Sequence, residues 1–417
     1  MEKKKAINRR TFLKSAGATA AALTLSGVPR LLHSQGKDID IAVVDAITGR
    51  AAKWGVAWMG EELAVEEINQ AGGIKSMGGA KLVLTKYDTE SKVETGVTAA
   101  QRAVQKGAKA IFGCAGSSIC LMVTQIAERE KVPMLLAQAS DIKIMQRGFK
   151  YTFRVCANSD VLIPAALNIA STLQDKKTGK KVKTLAHLYE DSAYGQAETA
   201  VIKREAPKYG LDFVSAQAFT GGTPDLTPYV NKLKSVNPDF IIGSVFFFDI
   251  CNFIRTFREQ NFNTMGYHFG AEADEFLTEM KKDANYTFTH LPWDEKMNIP
   301  RIMEVVQRFR KKYGENMDAF AMHGYACAYV LKEALERSGS TDSDKLLKAL
   351  KETDLSPDKG NFLPTKGGRI QFDEIGENKN IIMMSGQILN QKREIIFPPQ
   401  YKTNDPVFPI PKWNERG

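Results

Sequence analysis

From Asp38 onward, short apolar runs alternate with segments whose apolar residues recur every three to four positions. That is the pattern of strands feeding helices in parallel sheets covered on both faces. Strands are expected over residues 39–44, 81–87, 110–112 and 134–136, with helices over 56–70, 94–105 and 119–130 between them. The first helix shows its period through Val56, Met59, Leu63 and Ile68, and Gly72-Gly73 permit the positive backbone angles of its exit. The rhythm restarts after Asn158, with helix 161–173, strand 184–189, helix 196–208, strand 213–216, helix 226–235, strand 240–245, helix 250–259 and strand 267–269. Past Pro292, two long amphipathic helices (301–313 and 320–338) and a shorter one (343–350) lead to strands near 369–372 and 381–389 and a Pro-rich tail. The pattern predicts an α/β chain of two doubly wound, Rossmann-like units. A length of 417 residues agrees, being too long for one ordinary core and suited to two domains with a cleft between them.

Ahead of this region, Asn8-Arg9-Arg10-Thr11-Phe12-Leu13-Lys14 leads into a weakly apolar, Ala-rich run that ends near Val28. A basic head followed by such a run is an export address, and it falls short of the roughly 20 apolar residues needed to span a bilayer. The paired arginines with Thr-Phe-Leu-Lys resemble the twin-arginine signal, which implies export of an already folded protein to a bacterial periplasm. No cysteine precedes Cys114, so no thiol is present for lipid attachment, and a soluble mature protein is expected. Small residues at Ser34-Gln35-Gly36 put the end of a cleaved signal peptide, 1–36, just before Lys37.

The leader changes the meaning of the charge. Of a formal net +9, seven basic residues and one acid lie within it, which leaves 50 basic against 47 acidic side chains and a mature net charge of +3. No nucleic-acid partner is expected from so even a balance. Five cysteines (Cys114, Cys120, Cys156, Cys251, Cys327) are too few and scattered for a disulfide framework and read as small buried apolar residues, although spacing leaves one pair open. The five histidines are far apart, so neither a metal site nor another cofactor is expected.

Candidate chemistry lies at the carboxyl ends of the strands, where open α/β sheets bind ligands. Gly113-Cys114-Ala115-Gly116-Ser117-Ser118 follows one strand and opens a helix, and Ala137-Gln138-Ala139-Ser140-Asp141 ends the next. Two such turns side by side suit one carboxylate, through free N–H groups, hydroxyls and the helix dipole; alternatively the same serines and aspartate only cap helices. In the second unit Gly270-Ala271-Glu272 follows a strand, which puts an acid on the cleft side. A buried acid needs a cationic partner or it takes up a proton, and a ligand ammonium would satisfy it; alternatively Glu272 is a surface residue. Trp54, Tyr194 and the Phe246-Phe247-Phe248 run fall on the same strand-to-helix side, as cleft walls or as core. One anion site, one cation site and aromatic walls fit an α-amino acid.

From Asp38 to about Phe397 the chain resembles the periplasmic binding proteins for leucine, isoleucine and valine, the type I solute-binding components of ABC importers. The resemblance runs through Ile41-Ala42-Val43-Val44, Thr48-Gly49, residues 64–74, Lys86-Tyr87-Asp88, residues 113–118, Tyr151-Thr152-Phe153-Arg154, residues 189–195 and Gly270-Ala271-Glu272. It implies a carboxylate grip at Ser117 and Ser140 with backbone groups of Gln138 and Ala139, an ammonium partner at Glu272, and aromatic positions at Trp54, Tyr194, Phe246 and Phe320. Ser140 replaces a usual threonine and Phe246 a frequent tyrosine; the early disulfide of the family has no counterpart, since Ser91 and Gly116 stand in its places. The resemblance further implies three crossover strands as a hinge, with lobe one at 37–157 plus 292–368 and lobe two at 158–291 plus 369–417. A monomer that hands its ligand to an inner-membrane ABC permease is expected; a freestanding sensor with the same clamp, or a binder of a non-amino-acid carboxylate or amide, is the alternative. The phosphate-binding glycine loop, the nucleophile elbow and the dinucleotide fingerprint that would mark an enzyme are all missing from the sequence.

Overall fold

Two separate sheets form where the alternation restarts. The structure, a computed structural model, describes residues 36–416, so the leader with Arg9 and Arg10 lies outside the described residues. The first sheet is built from β1 (Ile39–Asp45), α1 (Ala57–Gln70), β2 (Leu82–Asp88), α2 (Val93–Gln105), β3 (Ala110–Gly113), α3 (Ser117–Arg129), β4 (Met134–Leu136) and β5 (Thr152–Arg154). Its strands are parallel in the order β2-β1-β3-β4-β5. The second takes α4 (Ser159–Thr172), β6 (Thr184–Glu190), α5 (Ala193–Glu205), β7 (Asp212–Phe219), α6 (Thr227–Val236), β8 (Phe240–Ser244), α7 (Phe247–Glu259), β9 (Gly266–Phe269), α8 (Asp274–Met280) and β10 (Phe288–Leu291). Then α9 (Ile302–Tyr313), α10 (Ala319–Ser338) and α11 (Ser343–Lys351) return to the first core, and β11 (Met384–Leu389) and β12 (Lys392–Phe397) complete the second sheet. Its order is β12-β11-β10-β9-β8-β6-β7, parallel except for the antiparallel pairs β10–β11 and β11–β12. Among the described residues no helix is long and apolar enough to cross a membrane.

Two expectations for the last quarter of the chain change. Residues 369–372 make only isolated bridges, Leu355 with Ile370 and Phe372 with Asn378, and no strand. Nor does the chain leave the first core at Arg369: Ile370, Phe372, Ile381 and Met383 are all buried beneath the first sheet. A buried ion pair between Arg154 and Glu377 (3.2 Å) and main-chain bonds from Arg154 N to Gly376 O (2.8 Å) and Asn378 N to Arg154 O (3.0 Å) hold this segment along the edge at β5. The crossing to the second sheet comes at Met383.

Helix α10 sits so close to α1 that a Cβ on Gly324 would stand 2.0 Å from the Ala57 carbonyl oxygen, and one on Gly60 1.6 Å from that of Ala321. Only glycine permits that backbone approach. The crossing fixes the start of α10 beside the loop that precedes α1. Cys114 and Cys120 are paired, with a Cα–Cα distance of 5.9 Å, within the range a disulfide bridges. This is the one pair that spacing leaves open, formed where the turn after β3 doubles back on the first turn of α3. Cys156, Cys251 and Cys327 are free and buried.

Candidate functional site

At the carboxyl end of β1, Asp45 is buried and its Oδ1 accepts from Ala46 N (2.8 Å) and Ala115 N (2.6 Å), which fixes the turn after β3. Burial pushes its carboxyl up to about 6 despite those bonds. Ser117 is the first residue of α3, two residues earlier than the apolar period alone suggests, and its Oγ accepts from Asp141 N at 3.3 Å. The next turn is held from beneath: Arg154, wholly buried, donates to the carbonyls of Ser140 (3.4 Å) and Asp141 (2.7 Å), and Ser159 Oγ donates to Ser140 O at 3.0 Å. Ala139 adopts φ +70°, a left-handed conformation uncommon for a residue with a Cβ. With the main chain of Ser140 engaged, its Oγ is buried without a partner among the described residues. Gln138 Nε2 donates to the Trp54 carbonyl and ties this turn to the loop before α1.

From the other side come Tyr194 in the first turn of α5, Phe246 just before α7, and Gly270-Ala271-Glu272 after β9. The Glu272 carboxylate folds back over Gly270: a Cβ there would lie 3.1 Å from Glu272 Oε2 and 3.6 Å from Trp54 Cζ2. Glu272 is 9 % exposed, its Oε2 has no hydrogen-bond partner among the described residues, and burial raises its carboxyl to about 8, with Glu198 and Asp318 adding to the rise. Around it the rings converge, Trp54 lying 4.7 Å from Phe246, 5.9 Å from Tyr194 and 6.1 Å from Phe320 between centroids.

Trp54, Ser117, Gln138, Ala139, Ser140, Tyr194, Phe246, Glu272 and Phe320 thus all line one cavity. Its floor is made by Cys156 and Ala157, Pro292 and Met383, the three places where the chain passes between the sheets. Among the described residues no lysine or arginine lines it. Two histidines that sequence reasoning left aside also line it. His323 lies one turn beyond Phe320 on the same face of α10, a spacing that points to it once Phe320 is suspected. His290 belongs to β10, a strand the apolar pattern did not reveal. Burial lowers both, His323 to about 4 and His290 to about 3, so both are neutral at pH 7.

Comparison with known proteins adds to this geometry. A sequence profile described as periplasmic binding protein matches residues 38–379, and one for the twin-arginine translocation pathway signal sequence matches residues 6–26. The chain is 25 % identical over 364 residues to a leucine-, isoleucine-, valine-, threonine- and alanine-binding protein of Pseudomonas aeruginosa, covering 86 % of this chain and 92 % of that one. A leucine-binding protein of Thermotoga maritima has the same fold, with a TM-score of 0.75 at 24 % identity over 86 % of this chain and 97 % of that one. So does a solute-binding protein of R. palustris in complex with benzoate, with a TM-score of 0.73 at 16 % identity over 86 % and 95 % of the two chains.

Proposed function

Because this chain belongs to the periplasmic binding protein family, we propose that it captures an amino acid with a bulky apolar or aromatic side chain and delivers it to an ABC permease. The twin-arginine signal directs it to the periplasm. Residues 1–36 are removed there, and the mature protein closes as two lobes, 37–157 with 292–383 against 158–291 with 384–417. In this reading Ser117, Ser140 and the backbone of Gln138 and Ala139 hold the ligand carboxylate, Glu272 meets its ammonium, and Trp54, Tyr194, Phe246 and Phe320 enclose the side chain. Hinge motion at the three crossings opens and shuts the cavity.

The observation that carries the proposal is the pairing of opposites in one apolar cavity. A buried acid with an unpartnered oxygen projects from one side, and a hydroxyl with no protein partner, Ser140 Oγ, from the other. An ionised Glu272 without a cation is disfavoured there, and a zwitterion supplies both missing partners at once. Thermal-shift screening of the twenty amino acids beside small organic acids tests it: leucine, isoleucine, valine or phenylalanine should raise the melting temperature. Stabilisation by benzoate alone, with no response to amino acids, overturns it. That second reading has its own support in the benzoate-bound neighbour and in Glu272, which at about 8 is mostly protonated at pH 7 and can then donate to a carboxylate.

A further inference from the structure

Beside the cavity, outside its lining, one side chain crosses the cleft into a socket built for it. Arg50, in the loop between β1 and α1, donates to Glu190 Oε1 (3.3 Å) and Oε2 (3.0 Å) and to Asp249 Oδ2 (2.7 Å). Glu190 ends β6, and Asp249 lies in the first turn of α7, where its Oδ1 accepts from Gly222 N at 3.0 Å. The socket floor is Gly221, since a Cβ at that position would stand 2.1 Å from Arg50 Nη2. The guanidinium carbon also lies 5.7 Å from the centroid of Phe246. Beneath it, Ala46, Ala51 and Ala115 from one side pack on Phe246 from the other, with Trp54 against them.

The asymmetry of burial decides what this contact does. The Arg50 side chain is 43 % exposed, but that of Asp249 is 1 % and that of Glu190 11 %. Among the described residues, no other lysine or arginine is paired with either acid. Withdrawing Arg50 leaves two close carboxylates without a counter-ion, which costs far more than breaking an exposed pair. A planar fork reaching two acceptors also suits arginine and not lysine. We infer that Arg50 is a positioning residue for ligand capture: by filling the Glu190–Asp249 socket it holds the Trp54 loop against the Phe246 wall and sets how slowly the cavity reopens.

This inference rests on the proposed closure of two lobes around an amino acid, and its test separates the two. Stopped-flow tryptophan fluorescence with L-leucine and L-phenylalanine as probes should show koff raised at least tenfold in Arg50→Ala, kon changed less than threefold, and an intermediate koff in Arg50→Lys. In a Glu190→Gln/Asp249→Asn background, which removes the buried charges, Arg50→Ala should change koff less than threefold further. Small-angle scattering of the ligand-free proteins should show a larger radius of gyration for Arg50→Ala than for wild type. Equal koff in wild type and Arg50→Ala, or the same tenfold effect in the background without the carboxylates, overturns the latch. Should neither probe bind wild type, the amino-acid reading fails, and the scattering comparison alone decides: equal radii overturn the latch, a larger one for Arg50→Ala supports it.

Discussion

Binding of an amino acid should release a proton from Glu272, and the structure sets the size of the effect. Burial raises this carboxyl to about 8, so at pH 7 roughly nine in ten empty molecules carry it protonated. Ionising it to meet an ammonium then costs about 1.4 kcal/mol at pH 7. Apparent affinity should improve close to tenfold per pH unit below 8, a gain of roughly fifty-fold from pH 6 to pH 8. Calorimetry of leucine binding at pH 6.5 in buffers of different ionisation enthalpy should report close to one proton released. The sign for the empty protein is opposite. A carboxyl raised above its unfolded value binds the extra proton in the folded state, so stability falls as pH rises from about 4.5 to about 8. Glu198 and Asp318, both raised by burial to about 7, titrate in the same window. Glu272→Gln is therefore the control: it should weaken leucine binding and abolish the proton release while making the stability profile less steep between pH 6 and 8, where Glu198 and Asp318 still titrate. An affinity that is constant from pH 6 to pH 8 with no proton exchanged would refute the reasoning. An affinity that falls over that range would favour an ammonium-free carboxylate ligand.

Other substitutions separate binding from folding. Ser140→Ala removes a hydroxyl with no protein partner, while the main chain stays held by Arg154 and Ser159. Affinity should fall by about 1.5–3 kcal/mol, read by calorimetry, with the melting temperature of the empty protein nearly unchanged. Gly270→Ala puts a Cβ 3.1 Å from Glu272 Oε2 and displaces that flexible carboxylate, so leucine should bind several-fold more weakly while urea unfolding is little altered. Glu275→Gln breaks only the pair with Lys53 (2.6 Å), both side chains about 40 % exposed, and should cost less than about 1 kcal/mol of affinity. If Glu275→Gln weakens binding as much as Glu272→Gln, the ammonium role of Glu272 is lost.

The parts of the site legible in the sequence are those written locally. A strand ending in Gly113 to Ser117, another ending in Ala137 to Asp141, and Gly270 to Glu272 after a third each announce a turn at a known end of a sheet. A doubly wound topology then places those turns around one cleft, and all of them line the cavity. What stayed hidden depends on partners far apart in the chain. β10 is buried on both faces and so lacks the alternation that marks a strand. Residues 370–383 pack on the first core, yet in the sequence Ile370 and Ile381 show only that they are apolar. Their partner surface is chosen by Glu377 pairing with Arg154, over two hundred positions earlier. The Arg50 socket draws on Glu190, Gly221 and Asp249, none of which looks unusual in its own segment. Local pattern thus discloses what lines the cavity, because sheet topology puts strand ends together whatever the details. Contacts that join the two sides of the cleft are set by side-chain reach across a gap the chain closes only when folded, and no period in the sequence encodes them.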